Sequence, residues 1–211
     1  MSSRARSKKA SAIELVAIIA VAIGLAFGIE TFVVKPYKIP SGSMEPTLKI
    51  GQRLLVNRIG MDLGGPHVGQ IVVFHPPAEA AQGQCGPLPH TVTTGGAACA
   101  LPVPREAREY FVKRIVAGPG DALYIAGGHV YREAAGSSSF VPERDSYVKA
   151  CGFAPECSFP RAITIAPGHW FMMGDNRGDS EDSRFWGPVP TSWIVGPALA
   201  TYWPPDRIGV F

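Results

Sequence analysis

Residues 110–116 read YFVKRIV. Side chains alternate across a strand, so Phe111, Lys113 and Ile115 share one face, while Tyr110, Val112, Arg114 and Val116 share the other. The run is short, aromatic and β-branched, and the turn sequence AGPGD (117–121) ends it, as a strand requires. Six more runs have this character: RLLVN (53–57), QIVVF (70–74), ALYI (122–125), HVYR (129–132), WFMM (170–173) and ALATYW (198–203). Ala126-Gly127-Gly128 is placed to turn a hairpin between the fourth and fifth of the seven. No long 3.6-residue period occurs beyond residue 34, so the expected body is antiparallel β. Residues 77–105, rich in Ala, Gly and Pro, and the polar residues 134–160 interrupt the strands. They are expected as surface loops or ribbons rather than separate domains.

Lys113 has two readings. If its face is the inner one, it lies between large apolar neighbours, and burial then disfavours the ammonium. A fall in pKa from about 10.4 to about 8 costs roughly 3 kcal/mol, which a packed β body can supply. Otherwise it is a rim lysine with its amine in water. Arg114 cannot lose its proton and so cannot serve as a base. The histidines (His67, His75, His90, His129, His169) sit in no triad motif, and there is no G-x-S-x-G elbow. PSGSMEPTL (40–48) offers serines between two prolines: a flexible linker, or a nucleophile in need of a base.

The start of the chain bounds the setting. Residues 12–34 are almost wholly apolar, with Glu14 and Glu30 near the two ends. About 20 apolar residues span a bilayer, so this is expected as a membrane anchor. The alternative is a cleaved export signal, which has the same basic start and apolar middle. Arg4, Arg6, Lys8 and Lys9 precede the run, which places residues 1–11 in the cytoplasm and residues 35–211 outside. The net charge is +3, but the chain beyond that tail has 16 basic against 17 acidic residues, so no nucleic-acid face is expected. All four cysteines follow the apolar run, as suits an exported domain with two disulfides. Three pairings are possible; the sequence-local one, Cys85 with Cys99 and Cys151 with Cys157, is chosen. A zinc site is the alternative, though no C-x-x-C spacing occurs. Hydrophobic residues at 46% and charged residues at 18% exclude wholesale disorder.

GDNRGDSEDSRFWG (174–187) returns the chain to the core through polar turn residues. Its RGD tripeptide matches an adhesion motif, and DNRGDSED loosely matches a calcium loop without the required spacing. Taken alone, it is a structural loop.

Five stretches in one order resemble type I signal peptidases, membrane-bound Ser/Lys proteases that remove export signals. They are FVVKPYKIPSGSMEPTL (32–48), GQIVVFHPP (69–77), YFVKRIVAGPGD (110–121), GDNRGDSEDSRFWGPVP (174–190) and YWPPDRIG (202–209). The resemblance implies a mainly β fold: an antiparallel catalytic domain shared with LexA-like self-cleaving repressors, preceded by one N-terminal transmembrane helix. It implies Ser43 as nucleophile and Lys113 as general base, with Ser180 orienting the amine. Ser41 would offer its hydroxyl to the oxyanion beside the Ser43 N–H. Asp182 and Arg184 would brace the site as an ion pair, with Asp175 nearby, and a bland reading makes that pair partly exposed and worth little. Gly42 would permit the tight bend. Ile39, Met44, Phe111 and Val112 are the candidates for shallow pockets that accept small residues before the cut. No metal or organic cofactor is implied. The partners implied are signal-peptide-bearing preproteins and the lipid bilayer; Ser43 lies at most about 30 Å of extended chain beyond Val34. Gln70 and Ala117-Gly118 depart from the family pattern. Two other functions remain open: a silent anchored peptide-binding protein, and a Ser/Lys protease that cuts only itself.

Overall fold

Helix α1 (Ser3–Phe32) hands the chain directly to strand β1 (Val34–Lys38). The computed structural model describes residues 3–59, 64–78, 80–87, 96–149, 151 and 155–211, and within α1 it describes side chains at residues 12–25 and 28. The apolar run therefore stops being helical at Phe32 rather than Val34, because Val34 already pairs with Asn57 on the next strand. Among the described residues, no helix is long and apolar enough to cross a membrane.

The remainder is antiparallel β in two sheets. The larger runs in the order β1, β2 (Arg53–Asn57), β11 (Ile194–Trp203), β3 (Ile71–Phe74), β4 (Phe111–Ala117), β9 (His169–Met173), β10 (Val189–Pro190), with β12 (Gly209–Val210) paired to β11. The smaller runs β7 (Val141–Pro142), β6 (His129–Glu133), β5 (Ala122–Ala126), β8 (Phe159–Thr164). All seven expected strands are present, and β5 and β6 form the expected hairpin, with Ala126 opposite His129. Five strands went unexpected: β12, beside β11, and four at the ends of the two paths, each of which holds a proline, Pro36 in β1, Pro190 in β10, Pro142 in β7 and Pro160 in β8. Proline lacks the N–H a central strand must donate, so it favours edges, where it also blunts further pairing, and bulges, as with Pro197 of central β11 beside the irregular register at Ile194–Gly196.

Both faces of β4 are buried from Lys113 onward, not one face as alternation alone suggests. Three apolar clusters account for this. Val116 and Ala117 pack with Leu123, Ile125, Phe159 and Phe171 between the sheets. Val112 lies against Ile39, Met44, Leu48 and Leu54. Ile115 packs with Val72, Phe74, Met172 and Trp186. Burying each large apolar side chain is worth roughly 1.5–3 kcal/mol. A strand so enclosed is a rigid platform for the two basic residues at its centre.

The insert 134–160 is more than a loop, since it contributes β7 and the start of β8 to the smaller sheet. In the insert 77–105, Ala97 makes a parallel bridge to Arg161. Each insert holds one disulfide, Cys85–Cys99 and Cys151–Cys157, with Cα separations of 5.6 and 5.8 Å. The local pairing thus stands, and the zinc alternative falls.

Candidate active site

Ser43 lies in a single 3-10 turn, Gly42–Met44, just past β1. Met44 and Leu48, both buried, seat the turn in the core, and the Leu48 N–H donates to Met44 O at 2.9 Å. Gly42 does not have the positive φ expected of a bend that only glycine tolerates, and a Cβ there would make only ordinary contacts. Its carbonyl is what the turn uses: it accepts from Glu45 N–H at 3.0 Å and from Asn176 Nδ2 at 3.1 Å.

Lys113 sits opposite Val72 in the centre of the sheet and is 4% exposed. This decides between its two readings. Its Nζ is 2.6 Å from Ser43 Oγ and 5.8 Å from the Phe111 ring centre. Burial lowers its pKa to about 8; Asp182, Glu181 and Asp175 pull the other way, while Arg184 adds to the depression. Ser41 Oγ lies 3.4 Å from Ser43 Oγ, on the exposed side.

The third part comes from the loop after β9 and from a one-turn helix, α2 (Ser183–Trp186), whose N-cap is Asp182. Trp186, fully buried, anchors that turn. Asp182 accepts from Ser180 Oγ at 2.8 Å, from Gly174 N–H at 3.1 Å, and from Arg184 Nε and Nη2 at 2.8 and 2.9 Å. Burial alone would push the Asp182 carboxyl up. The Arg184 charge and hydrogen bonds, with help from Lys113, hold it below the usual carboxylate range. The pair is completely buried, not partly exposed, and such a pair is sustained only when its hydrogen bonds are saturated, as here. Ser180 Oγ is bonded to Asp182; the hydrogen bond found on Lys113 Nζ is the one to Ser43.

Asp175 is not a loose neighbour. It binds Arg114 through both oxygens, at 2.9 and 2.7 Å, and accepts from Thr47 Oγ1 at 2.5 Å. Lys113 and Arg114, adjacent on β4, therefore serve opposite faces: one meets the serine, the other fixes the loop beneath it. Arg177 is 1% exposed and bonded to Gly174 O, Gly128 O and Glu143, which removes the adhesion reading of RGD.

Ser41, Ser43, Lys113, Ser180 and Arg184 line one open groove of about 540 Å³. Ile39, Met44, Phe111 and Val112 line it too, so all four pocket candidates converge there. The described histidines stand elsewhere: His75 at Ala107 O, His129 at Asp145, His169 at Pro167 O, and His67 near Gln70. His90 lies outside the described residues. Of the two departures, Gln70 O accepts from Ile115 N–H, and Gly118 N–H donates to Asp121, so both keep β4 in register.

The sequence did not point to Thr47, Asn176 or Gly174. Asn176 holds the serine turn twice, since its N–H also donates to Ser43 O at 3.0 Å. A Cβ on Gly174 would stand 2.3 Å from Ser180 Oγ and 2.4 Å from Ser43 O. The available signal was a glycine at the end of a strand, which marks close approach of another backbone.

A hydroxyl paired with a buried, weakly basic amine, beside an open apolar groove, suits a hydrolase that attacks through serine with lysine as base. The chain belongs to the signal peptidase, peptidase S26 family, whose model matches residues 12–203. It is 36% identical over 196 residues to a probable signal peptidase I-1 of Synechocystis, covering 93% of this chain and 85% of that one. It is 30% identical over 233 residues to signal peptidase I of Mycobacterium tuberculosis, covering 97% and 76%. A solved signal peptidase I from Enterococcus faecalis overlays with a TM-score of 0.37 at 17% identity, covering 63% of this chain and 95% of that one.

Proposed function

We propose that this protein is a membrane-anchored serine endopeptidase that removes N-terminal signal peptides from exported preproteins, using Ser43 and Lys113. The observation that carries the reading is the 2.6 Å contact between Lys113 Nζ and Ser43 Oγ in a buried setting. Neutral Lys113 takes the Ser43 proton as Oγ attacks the scissile carbonyl carbon. The oxyanion of the tetrahedral intermediate is met by the Ser43 N–H and the Ser41 hydroxyl; one such donor is worth about 3–4 kcal/mol. The lysine, now an ammonium, gives its proton to the leaving amine, and an ester to Ser43 remains. Water, deprotonated by the same amine, then hydrolyses that ester. Ser180, with its own proton directed to Asp182, keeps lone pairs to accept from Lys113 and aim it. Ile39, Met44, Phe111 and Val112 give the shallow apolar surface that small residues before the cut require.

Residues 12–34 anchor the chain, residues 1–11 stay in the cytoplasm, and residues 35–211 work at the outer membrane surface. Supporting this, the described side chains at residues 12–25 of α1 are exposed and, Glu14 apart, apolar, Ile13 at 70% for example. Trp203, Val210 and Phe211 are further exposed apolar residues, in and just after β11 and β12. The test is mass spectrometry of a preprotein incubated in detergent with wild type, Ser43→Ala and Lys113→Ala. Wild type should release the mature chain after an A-x-A-like site, and both variants should be silent. Cleavage by Ser43→Ala at the wild-type rate would remove the nucleophile, and failure to cut in trans would favour self-processing or peptide capture.

A further inference from the structure

We propose that the two disulfides are positioning elements for the lysine base, each holding one end of Arg184. The inference rests on the Ser43/Lys113 reading above. The Arg184 carbonyl accepts from the Cys99 N–H at 2.9 Å, and Cys99 is tied to Cys85. The Arg184 guanidinium donates through Nη1 to Glu156 O at 3.2 Å, and Glu156 directly precedes Cys157, which is tied to Cys151. Between these two holds, Arg184 grips Asp182 and also donates to Ser180 O at 2.9 Å. Asp182 in turn holds the Ser180 hydroxyl, and Ser180 lines the same groove as Lys113. A line of contacts thus joins each disulfide to Arg184 and Asp182, whose charges act on Lys113.

Both disulfides are wedged against the elements they brace. A Cβ on Gly187, at the end of α2, would stand 3.0 Å from Cys99 Sγ. On the other side, Gly128 N–H donates to Cys157 O at 2.6 Å, and a Cβ on Gly128 would stand 2.6 Å from Cys151 Cβ. Reduction by a dithiol delivers two electrons and two protons to each disulfide, breaks its S–S bond and leaves two thiols, while the reagent closes to a cyclic disulfide. Two thiol sulfurs cannot remain at bonding distance. Cys99 and Cys157 are buried, so their sulfurs have little room to part without pushing on the backbone beside them, which is what grips Arg184. The charged groups facing Lys113 are Asp182, Arg184, Glu181 and Asp175. Once Arg184 loosens, water reaches the amine and the burial that weakens its basicity is relieved.

The experiment uses the full-length enzyme in detergent, oxidised or reduced with dithiothreitol, with thiols counted by mass spectrometry after alkylation. The paired variants Cys85→Ser/Cys99→Ser and Cys151→Ser/Cys157→Ser are assayed alongside. The expected result is a fall in kcat of about tenfold or more, since small misplacements of a base are costly. KM should stay within about twofold. The pH midpoint of kcat should climb, and reoxidation should restore both. Unchanged kcat and midpoint with four thiols counted would overturn the proposal. So would loss of kcat, KM and the thermal unfolding transition together, because the disulfides would then hold the fold at large. An active Ser43→Ala would defeat the earlier reading whatever the thiols do.

Discussion

Lys113 is the residue on which chemistry and stability pull against each other. Its folded pKa is about 8 against an ordinary 10.5. Below pH 8 the amine is charged in both folded and unfolded chains, and the folded state carries the whole cost of a buried ammonium. Between pH 8 and 10.5 the unfolded chain holds a proton that the folded chain has shed, so stability rises with pH, and above 10.5 the penalty is gone. The penalty at neutral pH is roughly 3 kcal/mol. Lys113→Met should therefore abolish cleavage and yet stabilise the protein at pH 7 by up to about 3 kcal/mol, a gain that shrinks toward zero near pH 10.5. Urea unfolding of both proteins at pH 7 and pH 10 measures it; an equal gain at both values would mean that the lysine is not titrating in this window. The wild-type kcat should rise with pH to a midpoint near 8, since only about a tenth of the lysines are neutral at pH 7. That Lys113 lies on a strand was legible in alternation. That it is buried was not, because a strand pattern names two faces without saying what covers either.

At the scale of elements, the site is a joint between the turn 42–48 and the loop 174–182. The joint is made by Thr47 to Asp175, Asn176 N–H to Ser43 O, and Asn176 Nδ2 to Gly42 O. These partners are 128 to 134 positions apart along the chain. No local period links residues at such a distance, so neither Thr47 nor Asn176 stood out beforehand. The same reasoning explains the strands: central ones announce themselves by apolar runs, whereas Pro36, Pro142, Pro160 and Pro190 disguise the edge ones. The Ser-Gly-Ser turn and the Gly-Asp loop stood out by their turn residues, but their catalytic roles came only from the five stretches that in order resemble one family. Asn176→Ala leaves the backbone bond to Ser43 and deletes the one to Gly42, a net loss of about 1 kcal/mol in the joint. The expected outcome is a kcat lowered several-fold with KM nearly unchanged and the pH midpoint still near 8. A midpoint that moved would show that Asn176 acts on the lysine, not on the serine turn.

The whole molecule divides into a β body with its own core and a helix whose described side chains stay outside that core. Among the described residues, none of the three apolar clusters includes a residue of α1. Eight large apolar side chains between Ile13 and Leu25 are exposed instead. Moving such side chains out of water at about 1.5–3 kcal/mol each amounts to more than ~10 kcal/mol, far beyond what a water-facing helix tolerates without a cover. The β body, by contrast, begins its ladder at Val34, opposite Asn57, just after the helix ends. A chain lacking residues 1–32 should therefore fold and cut a short soluble peptide carrying an A-x-A site with a kcat within about twofold of the full chain. Its cleavage of a preprotein held in vesicles should fall steeply. In a flotation assay with lipid vesicles, the full chain should rise with the lipid and the shortened chain should largely stay below, with residual binding left to Trp203, Val210 and Phe211. If the shortened chain floats as well as the parent, the anchor is not α1 and the β body itself does the binding. If it fails to unfold cooperatively, the helix belongs to the fold after all, and its exposed face awaits a protein partner rather than lipid.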